Sequence, residues 1–125
     1  MESANAEQEC DSLATGMGYT VTRFSQKARA QVPNIPDRYL RHTRGVCLWW
    51  ECKQGRDKLT RGQYTFLSLE LTCNGLAGCG NVDHLRSVLM LLTRDLGKPL
   101  AQRRCRELID VLAAKGFRDE KVAHD

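Results

Sequence analysis

The stretch from Pro36 to Lys53 constrains this chain more than any other. Val46 to Lys53 (VCLWWECK) carries the strongest strand signal in the sequence, dense in β-branched and aromatic residues. Asp37 to Arg41 reads as a shorter strand, and His42 to Gly45 as the turn between the two. A turn centred on Arg44 sets Asp37 opposite Glu51. Facing residues on antiparallel strands have Cβ atoms about 4.5–5.5 Å apart and point to one face. Lys53, two residues beyond Glu51, joins them there, and a slip of one residue would separate the three.

One short hairpin thus gathers two carboxylates and an amine. Carboxylates this close repel unless a cation lies between them, and hard oxygen ligands select Mg²⁺ or Mn²⁺. The carbonyl of Cys52 is a further candidate ligand. Such a set suits metal-assisted phosphodiester hydrolysis, with Lys53 orienting water or stabilising the pentacoordinate charge. The bland alternative is a surface salt-bridge cluster of Asp37, Glu51 and Lys53. The apolar run ahead of Glu51 favours the site, because it sets these charges beside buried surface.

Periodicity organises the rest. Residues 3–16 read as a helix with Ala6, Cys10, Leu13 and Met17 on one face, ended by Gly16 and Gly18. Tyr19 to Phe24 reads as a strand, residues 25–36 as a polar basic loop, and about Leu59 to Cys73 as a helix stopped by Asn74-Gly75. Leu76 to Cys79 is a short strand. Asn81 caps a helix from Val82 to Leu96, and a last helix covers about Leu100 to Lys115. Trp49 shares the Glu51 face and Trp50 the other, and both suit the core better than base stacking. The expectation is a single α/β domain over residues 1–125, with a mixed sheet flanked by helices.

At 125 residues the chain suits one domain. No apolar run approaches the ~18 residues of a membrane span. The acidic, polar start MESANAEQECD argues against a signal peptide. Six cysteines contain no CxxC pair, and His42, His84 and His124 lie at no useful offset from them, so reduced thiols are expected rather than disulfides or zinc. Together these point to the cytoplasm. Net charge is +4, and residues 23–44 alone carry +5 through Arg23, Lys27, Arg29, Arg38, Arg41 and Arg44 against Asp37. That concentration suits a polyanion such as nucleic acid, and the alternative is a solvated basic loop.

Asn34-Ile35-Pro36-Asp37, then Trp50-Glu51-Cys52-Lys53, then Leu59-Thr60-Arg61-Gly62-Gln63 together resemble the VRR-NUC domain of virus-type replication-repair nucleases, a branch of the PD-(D/E)XK superfamily. The resemblance spans about residues 5–90. It implies an αβββαβ core holding a divalent-metal nuclease site, here with an extra C-terminal helix after Gly97 that has no counterpart in the family pattern. Asp37 and Glu51 resemble the metal-binding acids, Lys53 the catalytic lysine and Gln63 the helix glutamine. Thr60-x-x-Gln63 is equally a capping box, and the two roles are compatible. Glu7 resembles the family's N-terminal glutamate, a further catalytic and metal-binding candidate, with Glu2 and Glu9 as alternatives. Asn34 stands where the family often has Gly.

The resemblance further implies a DNA endonuclease for branched substrates such as Holliday junctions, as in small stand-alone phage members. It uses Mg²⁺ or Mn²⁺ and no organic cofactor. Lys27, Arg29, Arg38, Arg56, Lys58 and Arg61 are the candidate DNA-binding residues. The competing class is a non-catalytic nucleic-acid-binding or assembly module on the same fold. A homodimer is expected, because a two-fold junction asks for two sites. Leu100, Cys105, Leu108, Ile109 and Leu112 offer apolar surface for it, unless they finish the monomer core.

Overall fold

Period-two alternation organises the centre of the molecule. In the computed structural model, which describes residues 2–24 and 32–119, strand β2 (Arg38–His42) pairs antiparallel with β3 (Cys47–Cys52). Arg38 faces Trp50, Tyr39 faces Trp49 and Leu40 faces Leu48. Extended by one position, this is the register that sets Asp37 across from Glu51. β1 (Tyr19–Arg23) joins β2 antiparallel, and β4 (Ala77–Gly80) joins β3 parallel, giving a mixed sheet in the order β1-β2-β3-β4. The parallel pair needs a crossover, and helix α2 (Arg61–Thr72) supplies it. With α1 (Glu2–Gly16), α3 (Val82–Leu92) and α4 (Lys98–Ala113), the chain is an α/β fold of order αβββαβαα.

The two faces of the sheet bury different sets. Leu40, Leu48 and Trp50 pack with Cys10 and Ala14 of α1 and with Leu85, Val88 and Leu89 of α3. Trp50 is seated by Gly78 on β4, where a Cβ would come within 2.7 Å of the indole. On the other face Leu59 and Leu67 meet Ala77 and Cys79. Helix α4 serves both clusters, giving Ala101, Cys105 and Leu108 to the first and Ile109 and Leu112 to the second. For Cys105, Leu108, Ile109 and Leu112 this favours the alternative, that they finish the monomer core. Of the five residues named for that role, only Leu100 is exposed.

Helix ends follow local chemistry. Pro99 falls in the first turn of α4, where its missing N–H costs nothing, so the helix opens at Lys98 rather than Leu100. α3 closes at Leu92, and Leu96 beyond it adopts a positive φ of 59°. No helix among the described residues is long and apolar enough to cross a membrane.

All six cysteines are free, Cys47 and Cys73 exposed and Cys10, Cys79 and Cys105 buried. Burial pushes the Cys79 and Cys105 thiols up to about 12 from 9.0. A thiol that stays protonated in the folded state while the unfolded chain ionises loses stability as pH rises. The contribution is complete below pH 9 and disappears between about 9 and about 12, a few kcal/mol for each thiol. Urea midpoints should therefore fall between pH 8 and 10.5, and less steeply in Cys105→Ala. Equal slopes in the two proteins would contradict this account.

Candidate active site

The hairpin register does more than bring Asp37 and Glu51 together. The Asp37 backbone N–H donates to Glu51 Oε1 at 3.2 Å, and the Cys52 N–H donates to both Asp37 carboxylate oxygens at 3.1 and 3.3 Å. Each carboxylate is thus held by the backbone of the other strand. Lys53 Nζ lies 3.7 Å from Glu51 Oε2. Asp37 and Glu51 are each only 4% exposed and Lys53 8%. Lys53 and Glu51 do form an ion pair, but a buried one rather than the surface cluster of the alternative reading.

Helix α2 delivers the fourth group. Thr60 Oγ1 accepts the Gln63 N–H at 3.1 Å, and Gln63 Oε1 accepts the Thr60 N–H at 3.0 Å, which closes a capping box. Because the cap consumes the amide oxygen, the amide nitrogen is turned the other way. Gln63 Nε2 donates to Glu51 Oε2 at 3.4 Å. Capping and contact with the site coexist in one side chain, and the cap fixes which end of the amide the site meets.

The face opposite explains two residues differently from the sequence expectation. Alternation turns Arg38 away from Asp37 and towards α1. There its Nε and Nη2 grip Asp11 at 2.7 and 3.2 Å, Nη1 donates to the Asp37 carbonyl at 3.0 Å, and Nη2 lies 3.5 Å from Glu7. Burial alone would lower the Arg38 pKa, but the Asp11 hydrogen bond and charge outweigh it and hold it above its ordinary value. Arg38 is therefore a strut between α1 and the start of β2, not an open phosphate contact. Glu7 touches that strut instead of the Asp37–Glu51 pair. Asp11, one helical turn after Glu7, is the partner that sequence reasoning missed. Glu9 is exposed on α1 and lines a groove with Val82 and Arg86, and the Glu2 side chain is outside the described residues.

Arg56, Lys58 and Arg61 are exposed in and just after the loop that leaves β3. Arg61 also stacks on Phe117, 4.8 Å from the ring centroid. Lys27 and Arg29 lie outside the described residues. Asn34 has φ 70°, a left-handed conformation that Asn tolerates better than other non-glycine residues. It thereby fills a position where glycine would serve, and its side chain occupies the space that a Cβ on Gly62 would need. Trp50 is fully buried, and half-buried Trp49 packs 4.4 Å from Tyr39 and 5.3 Å from Phe66, centroid to centroid.

The donor set fits a hard divalent cation. Mg²⁺ is held in many sites by one or two carboxylates, with water and phosphate oxygens completing the shell. Among the described residues no group of three or more His, Cys, Asp or Glu side chains converges, so Asp37 and Glu51 are the two acids available. The N–H and C=O of a strand residue point the same way, so the Cys52 carbonyl is turned to the side of Asp37. Its thiol, by contrast, is pushed well up by a hydrogen bond with Cys10, by burial and by the Asp37 charge. A protonated thiol is a poor ligand for a soft metal. Comparison of the chain with family models, with curated proteins and with solved structures found no match.

Proposed function

We propose that this protein is a Mg²⁺- or Mn²⁺-dependent endonuclease that hydrolyses phosphodiester bonds in branched DNA. One observation carries the reading: the ionisable side chains of Asp37, Glu51 and Lys53 are buried together where β2 begins and β3 ends. Burying ions is costly, and apolar residues of similar size often stabilise a fold better. Charges retained against that cost, on one face and within reach of one another, favour chemistry over architecture.

In this reading Asp37 and Glu51 hold the cation, with the Cys52 carbonyl beside them. When bound, the cation polarises the phosphodiester and lowers the pKa of an attacking water. Lys53 orients that water and offsets the charge that gathers on the phosphorus oxygens. Gln63 fixes Glu51 so that its oxygens stay aimed at the cation. Arg56, Lys58 and Arg61 grip flanking phosphates, a contact that positions DNA without reading its sequence. The preference for branched DNA, the homodimer and work in the cytoplasm of a host cell rest on the resemblance to VRR-NUC nucleases.

The test is cleavage of linear, flapped and four-way DNA with Mn²⁺ by wild type, Lys53→Ala and Gln63→Glu. Wild type should cut. Lys53→Ala should lose on the order of 10²–10³-fold. Gln63→Glu should keep the fold, since Glu also completes a capping box, yet lose activity because an acceptor replaces the donor facing Glu51. Steep weakening of DNA binding with rising salt should accompany activity. Salt-sensitive binding with no cleavage in any variant would favour the non-catalytic module instead.

A further inference from the structure

A cavity of about 120 Å³ lies beside this site, with Lys53 in its wall. Helix α4 supplies its apolar side through Leu108, Val111 and Leu112, while Asp57, His84 and Lys115 add polar groups. Leu108 and Leu112 belong to the core, and the cavity meets only their edges. Val111 does not: it is 63% exposed, an apolar side chain that the core leaves out. The apolar part of the wall is therefore built by the helix that the family pattern lacks.

His84 is fixed in place. Its Nδ1 accepts the Asn81 N–H at 3.0 Å, which leaves Nε2–H as the donor of the neutral ring. Burial, followed by the Arg104 charge, holds its pKa below the ordinary value, so the ring is uncharged at neutral pH. Gly80 has φ 140°, and a Cβ there would run into the imidazole. The Lys115 ammonium, the His84 N–H and the Asp57 carboxylate around an aliphatic wall suit a flat heterocycle with both acceptor and donor atoms on its edge. The space equals about four water molecules, enough for one ring system and too small for a base pair.

We propose that this cavity receives the base of one unpaired or swung-out nucleotide next to the scissile phosphate. The link to a scissile phosphate rests on the nuclease reading. Lys53 lines the cavity and also contacts Glu51, so the cavity adjoins the carboxylate site through a shared residue, and a base seated here has its phosphate on that side in this proposal. Extruding a base costs least where it is already unpaired. The cavity thus supplies a physical reason for preferring junctions, flaps and mismatches over intact duplex.

The experiment is a methyl and imidazole NMR titration of the metal-free protein. Deoxynucleoside 5′-monophosphates are the probes, with deoxyribose 5-phosphate and inorganic phosphate as controls. Shifts at Val111, Leu108, Leu112 and His84 that require the base support the proposal, as does a dissociation constant raised at least tenfold in Val111→Glu. That substitution is at an exposed helical position and leaves the core intact. Identical shifts from deoxyribose 5-phosphate, or none from any probe, overturn it. In cleavage assays, removing one flanking base should slow wild type about tenfold and Val111→Glu no further. Cleavage without base-dependent shifts would retire the cavity and keep the nuclease. Base-dependent shifts in a protein that cuts no DNA would keep the base site and retire the nuclease.

Discussion

Asp37→Asn should abolish metal-dependent cleavage, by at least about 10²–10³-fold, while the protein stays folded and bound to DNA. The amide oxygen of asparagine can still accept the Cys52 N–H that now reaches both Asp37 oxygens. Shape is therefore preserved and one carboxylate charge, the proposed metal ligand, is lost. DNA affinity measured in Ca²⁺ or without metal should hold or rise, since a negative charge facing phosphate is gone. Single-turnover cleavage with Mn²⁺ and a parallel gel-shift assay read the two effects separately. If the variant cut DNA at the wild-type rate, Asp37 would be a structural acid and the two-carboxylate site would fall.

Trp50→Ala should cost about 3–5 kcal/mol of stability, a large part of the 5–15 kcal/mol typical of a single domain. Trp50 is completely buried at the centre of the larger cluster. Gly78 leaves no side chain that could close the space behind the ring. Among the described residues the indole Nε1 has no hydrogen-bond partner. Trp50→Phe should therefore lose much less, because the lost ring area is offset by removal of an unpaired N–H. Urea unfolding of the two variants measures the contrast. Equal losses would show that the N–H is not a burden.

The centre of this fold was legible because its signals were local. Strand length, the turn at Arg44 and period-two alternation fix the hairpin register, and with it the meeting of Asp37, Glu51 and Lys53. Thr60-x-x-Gln63 announced a cap, but sequence spacing could not tell that the amide left over would reach Glu51. That depends on where α2 crosses the sheet. Arg38 was misplaced for a reason that alternation itself supplies: if Asp37 faces the site, Arg38 must face α1. Asp11 was hidden because ion pairs between a helix and a strand carry no spacing rule. The division of α4 between two core clusters was equally invisible, since an apolar stripe does not say whether its own chain or another covers it.

The parallel pairing of β3 with β4 has a consequence for when the candidate site can assemble. Antiparallel hairpins close quickly, but Trp49 meets Ala77 only after the whole of α2 has been made and folded back. Contacts between such distant positions form late, because loop closure must precede any gain from them. Until β4 arrives, the strand bearing Glu51 and Lys53 has an open edge, and the Lys53 N–H lacks the Gly80 carbonyl that it bonds at 3.0 Å. A nascent chain that has emerged only through α2 therefore carries all four site residues, yet without the strand that aligns Glu51 and Lys53. On the proposed nuclease reading, the elements made after α2 act as a safety catch, because a chain without β4 has not yet aligned the residues proposed to cut DNA.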